Sequence, residues 1–143
     1  MVLLSCNAAT KTALKNDQFF DTNSYKQHFK DKVLCDCILA GLQGEDLPND
    51  FNHQDKSFTS PEDFVLFDSL SKEIIKPVIK QIKSDSIKSL STVAEAAAGK
   101  TVFKTCLLFY KSKSLDSIAR INVKKWNTIE NIDSLYQIIN PSY

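Results

Sequence analysis

Residues 24–43, SYKQHFKDKVLCDCILAGLQ, decide the fold class. Tyr25, Phe29, Val33, Cys37 and Ala40 recur every three or four residues, so a helix gathers them on one face. Gly41 and Gly44 follow as stop signals. A strand would need strict alternation, which neither this stretch nor any later one sustains.

The same reading extends outward. Residues 44–60 contain Gly44, Pro48, Asn49, Asp50 and Asn52, which is loop chemistry. Ser60, Pro61, Glu62 and Asp63 form a helix start, with a cap, a proline at the first position and acids in the first turn. Phe64, Phe67, Leu70, Ile74, Val78 and Ile82 form the stripe that follows. Pro77 lies inside it and predicts a kink or break near residues 74–76. Asp85 and Ser86 read as the cap of a shorter helix over residues 87–98, ended by Gly99. Thr101 opens another, with Val102, Phe103, Cys106, Leu107 and Tyr110 on one face. Ser114 reads as the cap of a continuation carrying Leu115, Ile118 and Ile121. Asn127, Thr128, Ile129 and Glu130 have the spacing of a capping box before Ile132, Leu135, Tyr136 and Ile139. The expectation is an all-α fold, a compact bundle of about five helices pinned by a disulfide.

Composition agrees. The 143 residues suit one domain, and three glycines with four prolines are too few for a many-turned β fold. Residues 1–22 read as an arm and residues 23–143 as a single helical domain. Net charge is +1 and Arg120 is the only arginine, so nucleic acid is not an expected partner. Leu3, Leu4, Ser5 and Cys6 resemble a bacterial lipobox, which would make Cys6 a lipid attachment point. The basic region and long apolar stretch of a signal peptide do not precede it, and a chance apolar stretch is the other reading.

Chemistry is sparse. Ala98, Gly99, Lys100 and Thr101 imitate the tail of a phosphate loop, but Ala94 stands where its first glycine belongs. A helix-ending glycine accounts for them. His28 and His53 have no recognisable catalytic context, so no enzyme, cofactor or metal site is expected. Cys35 and Cys37, two apart on a helix, point about 200° from each other and cannot easily share an ion. Cys37 and Cys106 lie on core-facing stripes and could meet as a disulfide; the alternative is a reduced pair in a cytosolic protein. Cys35 faces elsewhere, as a thiol or as a partner for an unlipidated Cys6.

Two stretches carry a family likeness. Residues 25–38, YKQHFKDKVLCDCI, resemble the first helix of the type VI secretion amidase immunity proteins of the fourth class. Residues 104–116, KTCLLFYKSKSLD, resemble that family's later segment, with its cysteine, apolar run, tyrosine and Ser-x-x-Leu-Asp. The likeness spans residues 25–121 and leaves out Cys35 and the tail from Val123 to Tyr143. It implies a small helical periplasmic protein that binds a papain-like peptidoglycan amidase and occludes its cysteine-based active site. It also implies that Cys37 and Cys106 are the bridged pair, and that the protein is a homodimer. The other function in view is a periplasmic helical lipoprotein or adaptor unrelated to a toxin.

Segments with least internal work to do are the expected contact surface: residues 44–59, with Asp46, Asp50 and Asp55, and residues 86–99, with Leu90, Val93, Glu95, Ala97 and Ala98. The alanines would let another backbone approach closely, although helix propensity alone also accounts for them. Glu45, Asp46, Asp50, Asp55, Glu62 and Asp63 make the middle acidic, and residues 104–125 are basic. Such patches either steer a partner or are simply solvated.

Overall fold

The computed structural model describes residues 22–42, 56–92, 99–139 and 141. Five α-helices, and no strand, make up the described architecture: α1 (Thr22–Gly41), α2 (Asp68–Thr92), α3 (Val102–Tyr110), α4 (Lys113–Trp126) and α5 (Ile132–Ile139). The all-α expectation holds.

Helix α1 is the centre, touching α2, α3 and α4. Phe29, Val33 and Cys37 are fully buried along its inner face, as the periodicity requires. Gly41 does more than stop the helix. A Cβ there would lie 2.6 Å from Val102 Cγ1, so the start of α3 can approach only a bare backbone.

Before α2, Ser60 caps as expected. Its Oγ accepts the Asp63 N–H at 3.3 Å, and Asp63 Oδ2 accepts the Ser60 N–H at 3.0 Å and hydroxyl at 2.9 Å. The next turn is a π-helical one, Asp63–Phe67. A π turn takes up an extra residue, so the apolar phase before it is rotated against the phase after it. This corrects the stripe: Asp63, Leu66 and Phe67 are buried, while Phe64 is 46% exposed and rests against Tyr136 of α5.

Pro77 does not break α2, and no new helix starts at Asp85–Ser86; α2 continues through both. Pro77 and Glu73 both face solvent, where water can take the carbonyl that a proline four residues on leaves without a donor. The inner face, with Ser71, Ile75 and Ile82 buried, is uninterrupted. The expected helix end at residue 98 lies outside the described residues.

Two caps are displaced from their expected positions, the first to an earlier residue and the second to a later one. Ser112, in place of Ser114, caps α4, its Oγ accepting the Leu115 N–H at 3.1 Å from an extended backbone. Asn131 then precedes α5 and accepts the Ser134 N–H at 3.4 Å. The expected box at residues 127–130 is spent closing α4, since Asn127, Thr128 and Ile129 donate back to Val123, Lys125 and Trp126. Helix α4 buries Leu115, Ala119, Val123 and Trp126, and leaves Ile121 at 56% exposure, against expectation. Phe29, Phe67 and Trp126 meet at the middle of the core, with ring centroids 4.8–5.5 Å apart.

Candidate partner-binding surface

Cys37 and Cys106 are both buried, with Cα atoms 5.8 Å apart and sulfurs at 2.04 Å. The bridge ties α3 to α1 across a sequence separation of 69. Cys35 lies half-buried on a different side of α1. Cys6 is outside the described residues.

Helix α3 was expected to bury five side chains on one face; only Val102 and Cys106 are buried. Phe103 at 59% and Leu107 at 41% exposure are corrections to that reading, and Leu108 is exposed with them. A nine-residue helix holding seven apolar side chains cannot turn them all inward. That surplus was the signal in the sequence for an outward apolar face.

The far end of α2 presents a similar surface. Leu90, an expected contact residue, is 67% exposed, and Ile87 one turn earlier is 69% exposed. Gly99, just before α3, donates its N–H to Ser89 Oγ at 3.3 Å and so keeps the end of α2 near the start of α3. The other expected contact residues, Asp46, Asp50, Asp55, Val93, Glu95, Ala97 and Ala98, lie outside the described residues.

One residue of the acidic patch is misplaced by the sequence reading. Asp63 is 1% exposed and faces inward, where its Oδ1 lies 2.9 Å from His28 Nε2. The angles at that contact do not make a hydrogen bond, so the oxygen has the imidazole beside it as a charge partner only when the ring is protonated. His28 is held there by Phe58 and Phe67, at 5.4 and 5.7 Å.

Between α1 and α2 runs a cleft of about 920 Å³. Lys32 sits at its base with a side chain only 8% exposed, pairing with Asp36 at 3.0 Å and Asp68 at 3.5 Å. Ser71 donates its hydroxyl to the same Asp36 carboxylate, so this buried charge is compensated from several directions. Lysines of α2 stand along the rim.

On the opposite flank Lys30 donates to Asp116 at 2.7 Å, and Tyr110 donates to Asp31 at 2.9 Å. These contacts join α1 to α4 and α3. The hydrogen bond from Lys30 holds the Asp116 carboxyl below its ordinary value, with Lys26 adding to the effect.

Comparison with family models, curated proteins and solved structures finds no match to this chain. The surface therefore has to be read from its own residues. Among the described residues no three His, Cys, Asp or Glu side chains cluster as a metal site would require. No helix among them is long and apolar enough to cross a membrane. What the described surface offers is apolar side chains on fixed helices and a charged cleft, which suits binding.

Proposed function

We propose that this chain is an immunity protein that binds a type VI secretion peptidoglycan amidase and inhibits it by covering the active site. The observation that carries this reading is the Cys37–Cys106 bridge, because these are the two cysteines that the family resemblance pairs. A disulfide also suits an oxidising compartment such as the periplasm. A lipid on Cys6 would tether the protein there.

The physics of occlusion fits the scaffold. Binding loses affinity for every group that must be ordered on contact, so an inhibitor benefits from a surface fixed beforehand. The bridge and the Phe29–Phe67–Trp126 cluster supply that rigidity. Ile87, Leu90, Phe103 and Leu107 supply exposed apolar area of the kind that anchors interfaces. The partner is an amidase with a cysteine nucleophile, and the inhibitor acts as a homodimer.

The test is a cell-wall cleavage assay with a candidate papain-like amidase, titrated with purified inhibitor. Inhibition should saturate near one inhibitor chain per amidase. Leu90→Glu, at an exposed position, should weaken inhibition by at least about tenfold, roughly 1.4 kcal/mol, with an unchanged thermal transition. Full inhibition by far fewer inhibitor than amidase molecules would contradict occlusion. No inhibition at all would overturn the function.

A further inference from the structure

The cleft between α1 and α2 has a charge unlike that of the chain as a whole. Six lysines line it, Lys32, Lys56, Lys72, Lys76, Lys80 and Lys83, against two carboxylates, Asp36 and Asp68. The whole chain carries a net charge of only +1, so positive charge is concentrated here. Both carboxylates are already engaged by Lys32, and Asp68 also takes Lys72 at 2.6 Å. Lys76 is paired with Glu73 on its own helix. Lys56, Lys80 and Lys83 make no ion pair with another described residue.

The arrangement is linear. Lys72, Lys76, Lys80 and Lys83 fall within about 80° of arc on α2 and span about 16 Å of its length. Ile75 and Ile79 lie beside this row, with Leu39 and Phe58 also lining the cleft. A compact anion would meet only one or two of these lysines. An extended chain covering about 16 Å needs about five residues, and its side chains point alternately to opposite sides. Acidic residues on one side would meet the lysine row while apolar ones on the other reach the isoleucines.

We propose that this cleft is a docking groove for an acidic segment of the partner protein, one that alternates carboxylate and apolar side chains. Charge complementarity with the unneutralised lysines sets the class of occupant, and the apolar wall sets its pattern. The inference rests on the reading of the chain as a partner-binding protein. Its test contains no amidase, so the two can fail separately.

The test uses the full chain and a fluorescein-labelled peptide of alternating Glu and Leu, about ten residues long so that it overfills the groove. Fluorescence anisotropy should show saturable binding that weakens between about 50 mM and 300 mM salt. The double variant K80E/K83E should bind it at least about tenfold more weakly. Because both lysines are exposed, helical content should be unchanged. The variant should instead gain affinity for the matching Lys–Leu peptide, an exchange that a merely destabilised protein would not show. Equal binding of a plain polyglutamate would reduce the effect to general attraction and overturn the groove. Binding of dodecanoate without binding of the peptide would assign the cleft to an anionic amphiphile and overturn the peptide. Peptide binding that appears only after Glu45, Asp46, Asp50 and Asp55 are neutralised would make the chain's own acidic stretch the occupant and overturn a foreign one.

Discussion

Helices α3 and α4 follow each other in the chain and are held in opposite ways. Seven of the nine residues of α3 are apolar or aromatic, yet it buries only Val102 and Cys106. Helix α4 is richer in polar residues, yet it buries Leu115, Ala119, Val123 and Trp126 along one face. Spacing, more than hydrophobic content, decides what goes inside. The apolar surplus of α3 stays outside because a covalent bond and Val102 fix the helix in place. A helix anchored in that way can leave its remaining side chains to solvent or to a partner.

The contrast can be broken from the α4 side. Trp126→Ala would remove the ring that touches both Phe29 and Phe67, at a cost of about 3–5 kcal/mol. Chemical denaturation should show that loss as a lower midpoint. From the α3 side, replacing Cys37 and Cys106 together by Ala should cost about 4 kcal/mol, since the bridge closes a loop of 69 residues. Hydrogen exchange should then rise in α3 before it rises in α4. Equal protection of both helices after reduction would show that burial, and not the bridge, holds α3.

Smaller effects sharpen the same comparison. Phe103→Ser and Leu107→Ser should change stability by no more than about 0.5 kcal/mol, because both side chains are exposed. Under the proposed function, the same changes should also reduce inhibition of the amidase if the outer face of α3 contacts it. Asp116→Asn should act least and only through pH. With the folded carboxyl held below its ordinary value by Lys30, its contribution is present above that value, 3.8, and is lost as pH falls through the lowered one. Thermal unfolding of the variant and the parent should therefore converge in acid and separate slightly near neutrality.

How much of this was legible in the sequence depended on how local the deciding interaction is. The inner face of α1 and the Ser60 cap follow from spacing and residue chemistry within a few turns. The Cys37–Cys106 pair, 69 residues apart, is left open by the residues and implied by the family resemblance. The π turn does not, because an extra residue in one turn leaves the composition of the stripe unchanged. Phe64 was therefore read as core and Asp63 as surface, when the structure reverses them. Pro77 was read as a kink or break because its cost is local, while the face that carries the helix on through it runs the length of α2. Trp126 was missed because its partners, Phe29 and Phe67, come from distant parts of the chain. At the candidate surface, Leu90 lies exposed near the end of α2. The lysine rim of the cleft was not foreseen, since it comes from single residues one turn apart whose common face appears only when α2 is known to be continuous.

The bridge also changes what a protease can accomplish. Every peptide bond between residues 37 and 106 lies inside a covalent ring, which includes all of α2. A single cut there opens the ring without dividing the molecule, so α1 and α3 stay linked and can remain packed. In a compartment crowded with hydrolases, damage in that region need not become loss of the protein. On a gel the nicked chain would run whole until a reductant is added, and then fall into two pieces.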